Sequence, residues 1–163
     1  MLAPPRVATA DRLRSARLLA LVVPSALLGG ALLSEYVGKL YPCEMCWWQR
    51  YPHGVAIVLA FGALLSPLSA PRTRMLTLLG ALAIAVSGAI GLFHAGVEYG
   101  WWEGLTTCTT SGATSLEDIM SVPLIRCDQV QWTLAGISLA GFNALFSLGG
   151  ALLIVLLARR KSA

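Results

Sequence analysis

Four cysteines, Cys43, Cys46, Cys108 and Cys127, carry most of the chemistry open to this chain. Thiols exchange disulfides, ligate soft metals or close structural bridges, and the thiolate is the form that exchanges or ligates. Cys43-Glu44-Met45-Cys46 is a CxxC placed directly before a long apolar run. If that run is helical, Cys46 lies near a helix start, where the positive end of the macrodipole favours a thiolate. Arg50 follows Cys46 by four residues and so shares its helical face. A guanidinium there would stabilise the thiolate or hold a carbonyl oxygen of a ligand; the plainer alternative is snorkelling to lipid headgroups. His53 continues this face and reads as an interfacial histidine. His94 is the other candidate for a buried polar contact, with Glu98 one turn on to orient it.

The elements that must position these residues are set by hydropathy. Of 163 residues, 56% are hydrophobic and 12% charged, so lipid is the solvent for most of the chain. Charge is absent from Leu18 to Ser34, Tyr51 to Pro71, Met75 to Val97 and Val130 to Ala158. A spanning helix needs about 20 apolar residues. The last three windows qualify outright, and Tyr36 and Val37 extend the first if Glu35 faces a neighbouring helix. The expectation is an all-α membrane protein, a four-transmembrane-helix bundle forming one domain over 1–163. Its spans are 18–37, 48–70, 75–97 and 131–157, with outer loops 38–47 and 98–130. Arg12, Arg14 and Arg17 before an apolar run also suit a signal peptide, but no convincing small-x-small cleavage site follows. The second loop is long enough to imply a role. Within it Ser115-Leu116-Glu117-Asp118 resembles a capping box, and Leu116, Ile119 and Met120 keep helical spacing up to Pro123, which predicts a short amphipathic helix.

Basic residues stay on the cytoplasmic side of short loops. Arg6, Arg12, Arg14, Arg17, Arg72, Arg74, Arg159, Arg160 and Lys161 all fall on one side of the predicted bundle, leaving Lys39, Arg50 and Arg126 on the other. Both termini are therefore expected in the cytoplasm. The net charge of +4 is a topological signal, with no basic groove or recognition motif to support nucleic-acid binding. All four cysteines then fall in the two outer loops, where disulfides persist. A four-thiolate zinc site is conceivable, but the second pair lacks zinc-knuckle spacing, and no metal is expected. Two purely structural disulfides are the other alternative. Trp47, Trp48, Trp101, Trp102 and Trp132 lie near the outer boundary, as an aromatic belt would.

Cys43-Glu44-Met45-Cys46 followed by Trp47-Trp48-Gln49-Arg50, then Gly91-Leu92-Phe93-His94, then Cys108 and Cys127, resembles the DsbB family of disulfide-forming membrane proteins over nearly the whole chain. The resemblance implies a bacterial inner-membrane thiol oxidase. It would reoxidise a periplasmic DsbA-like thioredoxin-fold protein and pass electrons to a quinone, ubiquinone or menaquinone. It also implies roles: Cys108 in the mixed disulfide with the partner, Cys127 in exchange with Cys43, Cys46 as the thiolate facing the quinone, and Arg50 and His94 near its ring. A DsbA-type disulfide sits at about −120 mV against about −270 mV for thioredoxin, roughly 7 kcal/mol for two electrons, which an ordinary thiol pool cannot supply. The segment from Cys108 to Cys127 is shorter than that of the best-known member, and Glu44 adds an acid inside the CxxC. A vitamin K epoxide reductase-like protein shares the CxxC and quinone but places the motif late in the chain.

Overall fold

The computed structural model describes residues 5–105 and 125–159. Cys108 and the amphipathic helix expected from Ser115 to Pro123 lie outside the described residues. Among the described residues there are four helices: α1 (Pro5–Tyr36), α2 (Glu44–Leu65), α3 (Pro71–Glu98) and α4 (Leu139–Ala158). A two-stranded antiparallel hairpin, β1 (Thr133–Leu134) and β2 (Ile137–Ser138), precedes α4.

Among the described residues three helices are long and apolar enough to cross a membrane: Ala10–Tyr36 within α1, all of α3, and all of α4. The expected span 48–70 is not matched, because α2 does not reach that hydropathy and ends at Leu65. Its first half carries Gln49, Arg50 and His53, which are buried against the other helices. The expected span 131–157 is also shortened. Ala135 and Gly136 take positive φ (52° and 79°), as a two-residue hairpin turn of the favoured twist requires, so the uncharged run beginning at Val130 folds back before the helix starts. Ser138 then caps α4, its hydroxyl accepting from Gly141 N at 3.1 Å. The Tyr99 hydroxyl, just beyond α3, donates to Gly136 O at 2.9 Å and accepts from Ser138 N at 2.8 Å, fixing the hairpin to that end of the bundle.

Small residues bring the helices together. Ala56, Ala60 and Ala63 on α2, Ala81 and Gly88 on α3, and Ala140, Ala144 and Ala151 on α4 are all buried. Lipid offers no hydrophobic gain on association, so close van der Waals packing between such surfaces holds a membrane bundle. Gly91 marks the tightest approach that matters for the site, since a Cβ there would stand 2.9 Å from Asn143 Nδ2 and 3.0 Å from Ala140 O.

The bundle has two chemically different ends. At one, Arg17 donates to Leu64 O at 2.5 Å and Arg12 to Leu156 O at 2.7 Å, so basic side chains of α1 meet the carbonyls that end α2 and α4. The CxxC and the hairpin occupy the other.

Candidate functional site

Cys43 is the N-cap of α2 (φ −77°, ψ 176°), which makes Cys46 the third helical residue, as its position before the apolar run predicts. The Cys43 thiol donates to Cys46 Sγ at 3.2 Å. Cys127 is buried against the same pair, in an apolar cluster with Met45, Val97 and Ile125, and hydrogen-bonds Cys43. Among the described residues no disulfide joins these three cysteines to one another. The segment bearing Cys127 is tied down beside the CxxC by Gln131, which donates to Tyr41 O at 2.8 Å. Arg126 and Asp128 pair across Cys127, but both are half exposed and contribute little to stability.

His94 reaches this cluster from α3, with Nε2 at 3.5 Å from Cys43 Sγ and 3.9 Å from Glu98 Oε1. The Cys46 thiol is pushed down to about 5, chiefly by the hydrogen bond from Cys43 and also by His94, against the opposing effect of burial. Cys43 is pushed up from the ordinary thiol range by its bonds to Cys127 and Cys46 and by burial. The charge is therefore concentrated on Cys46, in the first turn of α2, and Cys43 is the proton-bearing partner. Glu44 inside the motif does not prevent this.

Arg50 is buried and forms an ion pair with Glu35 of α1 at 2.5 Å, donates to Ala31 O at 3.3 Å, and lies 4.8 Å from the centroid of the Trp47 ring. It is held inside the protein and does not snorkel. A cavity of about 250 Å³ opens between α1, α2 and α4, with Cys46, Arg50, His53 and His94 on its polar side and Leu27, Ala31 and Phe142 among its apolar walls. A flat, mostly apolar ligand bearing a few carbonyl oxygens matches this lining.

Below the thiols a chain of polar groups, buried except for the half-buried Asn143, runs into the bundle. Gln49 Nε2 lies 2.9 Å from His94 Nδ1 and donates to Met45 O at 3.0 Å. Asn143 Nδ2 donates to Gln49 Oε1 at 2.8 Å and to Ser87 O at 3.1 Å. His53 Nε2 lies 2.9 Å from both Asn143 Oδ1 and Ser87 Oγ, and Ser147 donates to the same Asn143 oxygen at 2.9 Å. The His53 Nδ1 atom is buried without a hydrogen-bond partner.

The chain matches the family model described as "Disulfide bond formation protein DsbB" over residues 13–157. It belongs to the DsbB family. A disulfide bond formation protein B of Marinobacter nauticus is 32% identical over 152 residues, covering 85% of each chain. One from Shewanella sp. strain MR-4 is 46% identical over 67 residues, covering 41% of this chain and 36% of its own. No solved structure matches. As a DsbB-family protein, the chain is a multi-pass membrane protein with oxidoreductase activity in disulfide bond formation.

Against this DsbB background, the fold gathers Cys43, Cys46, Cys127, His94 and Arg50 at one end of the bundle, and only Cys108 is outside the described residues. Gln49, Ser87, Asn143 and Ser147 join the site without being among the residues expected from the sequence, and His53, expected at the interface, is buried in their network. Their signal was present: Asn143 and Ser147 sit one turn apart in an otherwise apolar helix, where polar side chains need a partner. Cys43 Sγ, Cys46 Sγ and a His94 ring nitrogen also lie within 4.8 Å of one another, a donor set that soft cations such as zinc accept.

Proposed function

We propose that this protein is an inner-membrane thiol oxidase that takes two electrons from a periplasmic DsbA-like dithiol and delivers them to a membrane quinone. The observation that carries the reading is the convergence of Cys127 and His94 on the Cys43–Cys46 pair at the edge of a polar-ended cavity. Cys108 would form the mixed disulfide with the partner, and Cys127 would resolve it and exchange with Cys43, its buried neighbour. Cys46, held as thiolate, faces the cavity. A quinone bound there would supply a two-electron, two-proton acceptor, matching the two electrons and two protons that the partner loses as its thiols become a disulfide. Arg50 would hold a ligand oxygen, and its pairing with Glu35 keeps the guanidinium in place for that contact.

The reading includes four membrane crossings, with both termini cytoplasmic. Although α2 is less apolar than a typical span, its polar residues point into the bundle, and its outward residues Val55, Val58, Phe61 and Leu65 are exposed and apolar, as a lipid-facing surface is. The Arg-rich end then lies inside and the cysteine end in the periplasm. Zinc is the second reading. A metal-bound histidine normally donates its other ring N–H to an acceptor, whereas the His94 Nδ1 atom faces the Gln49 amide nitrogen, a donor.

The test is purified protein in lipid, given a reduced DsbA-like protein and either ubiquinone or menaquinone, with quinone reduction followed by absorbance. Cys46→Ser is expected to abolish turnover. Undiminished activity in that variant, or stoichiometric zinc with thiols unresponsive to quinone, would refute the proposal.

A further inference from the structure

The polar chain beneath the thiols has a defined hydrogen-bond polarity, because two of its amides touch backbone carbonyls, which only accept. Gln49 Nε2 faces Met45 O, so the nitrogen end of Gln49 is fixed there and its second hydrogen is directed to His94 Nδ1. Asn143 Nδ2 faces Ser87 O, which independently fixes that amide and aims it at Gln49 Oε1. The two assignments agree. Asn143 Oδ1 must then accept, so the His53 nitrogen beside it, Nε2, carries that ring's proton. Ser87 donates to Gln49 O at 2.8 Å, so its oxygen is free to accept from His53 as well.

We infer that Gln49, oriented by Asn143, is a positioning residue that holds His94 as the Nε2–H tautomer. With Nδ1 obliged to accept, the ring proton is on Nε2, the atom 3.5 Å from Cys43 Sγ. The imidazole then offers the thiol pair a single N–H donor aimed at sulfur. A proton on Nδ1 would set two donors against each other at 2.9 Å, so the ring's proton is held at Nε2, on the side of the thiols. This places Gln49 one step behind the reacting atoms. The inference rests on the thiol-oxidase reading for its purpose, but the tautomer itself is a property of the folded chain.

The experiment is 15N NMR of histidine-labelled, fully reduced protein in lipid nanodiscs, with no quinone or partner present. The chain contains two histidines, and a His94→Asn sample identifies the His94 signals by their loss. The wild-type protein is expected to show a pyridine-type Nδ1 and a pyrrole-type Nε2 for His94. In Gln49→Glu the carboxylate accepts from the ring, so the pyridine-type Nδ1 signal should be lost and replaced by a protonated one, with the His53 signals retained. Asn143→Leu removes one of the two contacts that orient Gln49 and leaves Met45 O, so a minor Nδ1–H form of His94 should appear beside the main Nε2–H form. A protonated Nδ1 in the wild type, or a Gln49→Glu spectrum identical to wild type, overturns the inference, and the wild-type spectrum decides even if a variant misfolds. Failure of the quinone assay with the expected wild-type spectrum would refute the oxidase reading and leave the tautomer assignment standing.

Discussion

Replacing His94 by alanine should raise the pH at which Cys46 gains its proton, by an amount the geometry sets. The Cys46 thiol is depressed from 9.0 to about 5, with the Cys43 hydrogen bond the largest cause and His94 a further one. A thiol held below its ordinary value is thiolate above its midpoint and becomes protonated as pH falls through it, so the wild-type protein should keep a reactive Cys46 from neutral pH down to about 5. His94→Ala removes one hydrogen bond to a charged sulfur while leaving the Cys43 bond and the burial. Hydrogen bonds to charged groups contribute about 1.5–3 kcal/mol, and a pH unit corresponds to about 1.4 kcal/mol, so the midpoint should rise by roughly one to two units. The assay is alkylation of the reduced protein with iodoacetamide across about pH 4 to 9, reading the Cys46 peptide by mass spectrometry. Wild type and variant should react alike at high pH and diverge between about pH 5 and 7. Coincident curves would refute the assignment of His94 as a donor to the thiolate, whatever the quinone assay gave.

Three other perturbations test the frame around the thiols. Arg50→Met and Glu35→Met should each destabilise the protein by about 3 kcal/mol, since each strands a buried charge, whereas the double variant should lose less than the sum; a thermal-shift double-mutant cycle in detergent reads the coupling. Gly96→Ala puts a Cβ 2.1 Å from Trp102 Cζ2, so the indole should leave its stack on Phe93 and its bond to Phe93 O, costing about 1–3 kcal/mol and red-shifting tryptophan emission. Tyr99→Phe removes both bonds that pin the hairpin, and hydrogen exchange at the Ser138 amide should accelerate, with a stability loss of about 1–2 kcal/mol.

Legibility in the sequence followed how local each signal was. Long apolar runs gave α1, α3 and most of α4, because a lipid-facing helix writes its length directly into composition. The hairpin before α4 was hidden, since its uncharged residues suit either structure and the deciding feature is a pair of positive φ angles at Ala135 and Gly136. Cys46 and Arg50 were readable from one face of one helix. The meeting of His94 and Cys127 with the CxxC was not, since it depends on how α3 and the 125–131 segment close over α2. Gln49 lay in view between Trp48 and Arg50 but has no meaning until Asn143, on another helix, is placed beside it.

The same residues explain why α2 fails the composition test for a span and why it matters to the chemistry. Gln49, Arg50 and His53 lower its hydropathy, and each would be costly in hydrocarbon if it faced lipid. Each instead has a partner from a different helix: His94 of α3 for Gln49, Glu35 of α1 for Arg50, and Asn143 of α4 for His53. Burying polar groups in this way is tolerable only when partners satisfy them, so α2 is held by all three neighbours at the level where its first turn presents Cys46. An apolar α2 would pack as well and cross lipid more easily, but it would leave the His94 ring without the amide that orients it and the cavity without a polar end. The break in hydrophobic pattern is thus the record of the site in the sequence, and a polar turn just after a CxxC at the head of an otherwise apolar helix is the signature to seek in other chains.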